Sequence, residues 1–217
     1  MRDLSRSALC VSITLAFASI LQVAWAHDGH HHPAPASSTQ SAKSDAVRID
    51  VPKVALVDQD GHPVRLGTDL LGSRLAVVNF VYTSCTSVCP MQSVVFTALQ
   101  DALGERLGRT VELISMTVDP INDQAEQLKR HAQARGAREG WRWLTGDRRS
   151  VEQALKGFGA FTADYTQHPA MVLVGDPLRG EWSRFYGFPA PEVLMRRLDE
   201  LAAVRASLAP SAAMIGK

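Results

Sequence analysis

Residues 75–82 form an apolar, β-branched run, interrupted only by Asn79, that gives way to Thr and Ser, the pattern of a strand buried on both faces. Downstream the periodicity alternates. It predicts a helix over about 91–103, a strand at 111–118 and a helix over about 123–135, with Trp143-Leu144 as a short edge strand. A helix at about 150–158 follows. Residues 169–174 and 181–186 flank Gly175-Asp176-Pro177-Leu178-Arg179-Gly180 as an antiparallel hairpin, and 191–208 reads as a closing amphipathic helix. At the front, 54–57 and 63–66 flank Asp58-Gln59-Asp60-Gly61, a hairpin signal with glycine where a positive φ is wanted.

Strand, helix, strand, then hairpin, then helix is thioredoxin order. The expected class is therefore α/β, a thioredoxin-like fold with a mixed central sheet flanked by helices and an N-terminal β-hairpin. The folded domain is expected over 47–208, with a frayed tail at 209–217. Arg2 and Arg6 precede an apolar stretch over 8–26 that ends Ala24-Trp25-Ala26, a small-x-small cleavage pattern. Residues 1–26 thus read as a signal peptide or an uncleaved anchor, which puts the domain in the periplasm, with contact to the inner membrane only if the segment is retained. Residues 27–46 open with His27-Asp28-Gly29-His30-His31-His32 and continue rich in Pro, Ala, Ser and Gln, a composition unable to bury a core and expected to be disordered. With 46% apolar and 21% charged residues, a net charge of +1 and no basic cluster, the chain offers no nucleic-acid surface.

Of three cysteines, Cys10 falls in the export segment, so Cys85 and Cys89 carry the chemistry. They sit in Asn79-Phe80-Val81-Tyr82-Thr83-Ser84-Cys85-Thr86-Ser87-Val88-Cys89-Pro90, at a strand-to-helix corner, where the helix N-terminus favours thiolate. A bridge closing so short a loop is a poor staple, which argues for a reversible role. Two thiolates serve disulfide exchange or a soft metal, and the latter gains from a nitrogen ligand. His62 and His131 read as surface residues. His168, directly before Pro169 and a core strand, faces the cysteine corner in a thioredoxin-like fold. Met91 and Met171 read as core filler, Asp119-Pro120 as the end of a strand, and Asp164 and Tyr165 as neighbours able to orient His168.

These motifs, together with Ser115-Met116-Thr117-Val118-Asp119-Pro120 and Met171-Val172-Leu173-Val174-Gly175-Asp176-Pro177, resemble the Sco/SenC family over roughly residues 47–208. The resemblance implies a thioredoxin-like copper chaperone that binds Cu(I) or Cu(II) through Cys85, Cys89 and His168. It also implies a copper donor and a cuproenzyme client such as the CuA subunit of cytochrome c oxidase. Two positions depart from the family pattern: Thr86 stands where Pro often follows the first cysteine, and Pro169 where Ser commonly follows the histidine. Pro169 matches ordinary thioredoxins and supports an alternative, a thiol-disulfide oxidoreductase that reduces the cysteines of the target copper site, with Cys85 attacking and Cys89 resolving. The cluster His27, His30, His31 and His32 is a candidate second copper site.

Overall fold

The computed structural model describes residues 44–208. The stretch read as an export signal, the histidine cluster and residues 209–217 lie outside them. Twelve main elements follow in order: β1 (Ser44–Arg48), β2 (Ala55–Asp58), β3 (Pro63–Arg65), β4 (Leu75–Val81), α1 (Val88–Leu103), β5 (Val111–Thr117), α2 (Ala125–Ala134), β6 (Trp141–Thr145), α3 (Arg148–Phe158), β7 (Met171–Asp176), β8 (Glu181–Tyr186) and α4 (Pro191–Leu208). A helical turn, Leu66–Leu71, joins β3 to β4.

All eight strands form one mixed sheet in the order β1-β8-β7-β4-β5-β6-β2-β3. β4, β5 and β6 run parallel, joined by helical crossovers, while the other pairings are antiparallel. Central β4 explains the arrangement. Every one of its residues is buried, and the period of two sends them to opposite faces. Ala76, Val78 and Phe80 pack with Val151, Leu155 and Phe158 of α3, whereas Leu75, Val77 and Val81 pack with Phe96 and Leu99 of α1 and with Leu194 and Leu198 of α4. The one polar residue of β4, Asn79, is matched inside the core: Ser115 Oγ donates to Asn79 Oδ1 at 2.7 Å and itself accepts from Trp141 Nε1 at 3.0 Å. This is the thioredoxin-like fold, with helices on both faces of a mixed sheet.

Several local expectations change. A strand occupies Ser44–Arg48, so ordered structure begins ahead of Val47, because the edge of β8 offers β1 a full ladder. The strand around Trp143 is interior, since β2 of the opening hairpin pairs with its far side. His131 is not a free surface residue: it is half-buried with its ring 5.3 Å from that of Trp143, and burial holds its pKa down. Met91 is not core filler but 54% exposed, whereas Met171 is buried as expected. Helix α1 begins at Val88, ahead of Pro90, because a proline in the first turn lacks only an N–H that would be unpaired there anyway. Cys89 therefore belongs to the helix, and the loop before it is short.

Candidate metal and dithiol site

The site lies where β4 ends. Backbone N–H of Cys85 closes a turn onto Tyr82 O at 3.1 Å, which tucks the Cys85 side chain under an exposed Ser84, Thr86 and Ser87. Ser87 precedes the first helical residue, yet its side chain does not cap α1. Cys85 Sγ takes that place instead, accepting from the N–H of Cys89 at 3.4 Å. A sulfur at a helix N-terminus feels partial positive charge and is stabilised as thiolate.

The two thiols are set apart by their surroundings. Burial pushes the Cys85 thiol up, but donation from the Cys89 thiol, from the N–H groups of Cys89 and Ser87, and from the Tyr82 hydroxyl outweighs it and lowers the pKa to about 6. Burial and the neighbouring Cys85 sulfur push Cys89 up to about 12. Tyr82 rises to about 12 as well, chiefly because its hydroxyl donates to Cys85. Both cysteines are free.

His168 is buried at 6% exposure and follows a short helical turn, Tyr165–Gln167, whose first N–H groups are satisfied by Asp164. Its Nδ1 lies 3.2 Å from Pro169 O, and because a carbonyl can only accept, Nδ1 carries the proton. Nε2 then presents a lone pair, and it has no hydrogen-bond partner. Burial lowers the imidazole pKa, which keeps the ring neutral. A neutral imidazole with one nitrogen fixed on a backbone carbonyl and the other free is the arrangement metal-binding histidines use.

Tyr82 connects these parts. Its ring lies 5.8 Å from that of His168 and 5.3 Å from that of Tyr165, both edge-on, while its hydroxyl addresses Cys85. The structure thus brings Cys85 and Cys89 into contact and sets His168 beside them across Tyr82. It does not close the three around a point: among the described residues no three His, Cys, Asp or Glu side chains gather as a metal cluster. Asp164 and Tyr165 do not bond to the imidazole. His62 is exposed beside Asp58, far in sequence and element from the site.

Two residues at the site were not evident from the sequence. Asp123, 1% exposed, accepts from Thr83 N at 3.1 Å and from Thr117 Oγ1 at 2.6 Å, and also from the Thr83 hydroxyl. It fixes the start of the cysteine loop to the end of β5. Gln92, also 1% exposed, donates from Nε2 to Met171 O at 3.3 Å and so ties the helix of Cys89 to the strand that follows His168. Its Oε1 is buried without a partner, like His168 Nε2. The orphan His168 Nε2 next to two thiols fits a soft or borderline cation in donor type, whereas the Gln92 amide oxygen is a hard donor.

A thioredoxin-like fold carrying a low-pKa and a high-pKa thiol beside a neutral histidine defines a dithiol protein able to exchange disulfides or ligate a soft metal. The SCO1/SenC family model matches residues 46–201, and the chain belongs to that family. It is similar to an SCO1 protein homolog of Bacillus subtilis, 34% identical over 54% of this chain and 60% of the relative, and to a candidate copper-binding protein of Stutzerimonas stutzeri, 28% identical over 50% of this chain and 52% of the relative. The aligned stretches thus span little more than half of those relatives. Among solved structures it is similar to BsSco, described as a member of the Sco family of cytochrome c oxidase assembly proteins with a disulfide switch: TM-score 0.62, 26% identity, covering 74% of this chain and 97% of that one.

Proposed function

We propose that this protein is an exported copper chaperone that takes copper as cargo on Cys85, Cys89 and His168 and passes it to a cuproenzyme, the CuA site of cytochrome c oxidase being the client that the family favours. The observation that carries the reading is His168: a buried, neutral imidazole whose Nε2 lone pair is free beside a thiol pair. Soft thiolates suit Cu(I), while the imidazole adds a ligand acceptable to Cu(II), so the set serves either state. Closing the three donors on one ion requires Tyr82 to yield, since its ring and hydroxyl touch both sides. The Stutzerimonas stutzeri relative supports copper as the cargo, and BsSco supports a place in oxidase assembly. Export to the periplasm rests on Arg2, Arg6 and the apolar 8–26 stretch ending in Ala24-Trp25-Ala26.

Anaerobic copper titration of the reduced protein tests this. Wild type is expected to bind one Cu(I) tightly and one Cu(II) with a thiolate charge-transfer band. His168→Ala should keep most of its Cu(I) affinity and lose the Cu(II) band. Equal Cu(II) spectra for the two proteins would remove His168 from the ligand set.

A second reading is favoured by the thiol asymmetry. Cys85, lowered to about 6, is equipped to attack a disulfide in a client, and Cys89 is placed to displace the product and leave a Cys85–Cys89 disulfide. In that case His168→Ala should leave exchange rates unchanged, and cells carrying it should assemble oxidase normally under copper limitation.

A further inference from the structure

Nine buried side-chain atoms among the described residues lack a hydrogen-bond partner, and seven of them belong to groups with a hydrogen to give: four arginine Nε atoms, two tryptophan indoles and the Thr145 hydroxyl. The other two can only accept. They are Gln92 Oε1 and His168 Nε2, and both belong to the dithiol end of the sheet. The orientation of the Gln92 amide is settled by its partner. Met171 O accepts and cannot donate, so the atom 3.3 Å from it is the NH2 group and the free atom is the oxygen.

The fold fixes where that oxygen is held. Gln92 follows Cys89 by three residues on α1, and both are buried on the same face of the helix. Helical side chains lean toward the N-terminus, which lays the Gln92 side chain over the turn that carries Cys89. Its Nε2 is tied to Met171 O, three residues beyond His168. The amide thus bridges the helix of one thiol and the strand that follows the imidazole, and at 1% exposure it is an interior group, not a solvated one. The donor chemistry separates the two copper states. Two thiolates satisfy Cu(I), whereas Cu(II) favours further nitrogen and oxygen donors, and a glutamine oxygen is a documented supplementary donor to Cu(II) in cysteine and histidine sites.

We propose that Gln92 Oε1 is a fourth donor of the copper site, taken up by Cu(II) and not by Cu(I), so that Gln92 sets the oxidation-state preference of the cargo. This rests on the copper reading of Cys85, Cys89 and His168. A neutral oxygen lone pair forms the bond, the amide keeps both hydrogens, and the ion keeps its oxidation state. Electron density drawn through the carbonyl makes Nε2–H a stronger donor, so ligation at Oε1 tightens the tie to Met171 O.

Separate anaerobic titrations of the reduced protein with Cu(I) and with Cu(II) test this, alongside infrared spectra of protein carrying isotope-labelled glutamine. Gln92→Leu should bind Cu(II) at least ~10-fold more weakly, the scale of losing a single partner of a metal site, and should keep wild-type Cu(I) affinity, which also shows it is folded. Gln92→Glu retains an oxygen but, like leucine, has no N–H for Met171 O, and it should bind Cu(II) as tightly as wild type or more so. The side-chain carbonyl stretch of Gln92, identified by its absence in Gln92→Leu, should fall in frequency on loading with Cu(II) and stay in place on loading with Cu(I). A stretch that ignores Cu(II), a loss of Cu(II) affinity shared by Gln92→Glu and Gln92→Leu, or equal losses of both ions in Gln92→Leu overturns the fourth donor while leaving the Cys/His site standing. A wild type that binds neither ion overturns the copper reading and the fourth donor with it.

Discussion

The unequal thiols make a prediction that needs no metal. With a pKa of about 6, Cys85 is roughly 90% thiolate at pH 7, whereas an ordinary thiol near 8.5 is only about 3% ionised there. Cys89, at about 12, stays protonated across the neutral range. Acid titration of the reduced protein, followed by thiolate ultraviolet absorbance, should therefore show a single thiolate lost with a midpoint near pH 6. Cys85→Ser should abolish the step. Cys89→Ala should move it upward, because the Cys89 thiol is the foremost of the groups holding Cys85 down and alanine offers no donor in its place. Linkage fixes the sign of the stability change. A group whose folded pKa is depressed contributes stability above its unfolded pKa, and that contribution is lost as pH falls through the folded value. Between pH 7 and pH 5 wild type should accordingly lose about 1 kcal/mol more than Cys85→Ser in reducing urea titrations. A midpoint at pH 8 or higher, or a step that survives in Cys85→Ser, would refute the assignment of the low pKa to the capping sulfur.

Two further outcomes test the supports of the site. Asp123→Ala removes the acceptor of the Thr83 and Thr117 hydroxyls and of the Thr83 N–H, and should cost about 3 kcal/mol, read as a fall in Tm of roughly 6–12 °C; a loss below 1 kcal/mol would mean that the cysteine loop holds without it. Gln92→Leu cuts the tie from α1 to Met171 O while removing a buried unpartnered Oε1, so stability should change by less than about 1 kcal/mol, while the Cu(II) band shifts or weakens and Cu(I) binding holds; an unaltered Cu(II) spectrum would show that the tie does not set the spacing of Cys89 and His168.

The parallel core was legible because β4 and β5 bury both faces and so read as mainly apolar runs, broken by Asn79 in the first and by Glu112, Ser115 and Thr117 in the second, and the hairpins because Gly61 and Gly180 adopt the positive φ that their turns require. Helix α1 shows where that reading stops. Its buried face runs through Cys89, Gln92, Ser93, Phe96, Leu99, Gln100 and Leu103, a proper helical stripe in which four of seven residues are not hydrocarbons. Met91 and Val94 fall outside the stripe and are exposed, so the rule that apolar residues go inward misplaces Met91 and hides Gln92. Asp123 escaped for a related reason. An aspartate just ahead of a helix resembles a surface cap, and only the pairing of β4 with β5 shows that Thr83 and Thr117 converge on it.

The same limit applies to the sulfur of Cys85, and there it bears on mechanism. With α1 starting at Val88, Ser87 stands immediately before the helix and is a residue type suited to capping, yet its side chain stays off the helix N–H groups and Cys89 N donates to Cys85 Sγ. The reactive atom and the helix cap are therefore one atom. An oxygen cap would hold the helix start whatever the thiols did; a sulfur cap changes its acceptor strength with every change in the sulfur's charge or bonding. Protonation, disulfide formation or ligation of an ion at Cys85 acts on the first turn of α1, which carries Cys89 itself and, one turn on, Gln92 with its tie to the strand after His168. Cys85, Cys89 and His168, the three side chains proposed as ligands, are in this way linked through backbone and amide contacts, although they lie around Tyr82 and not around a common point.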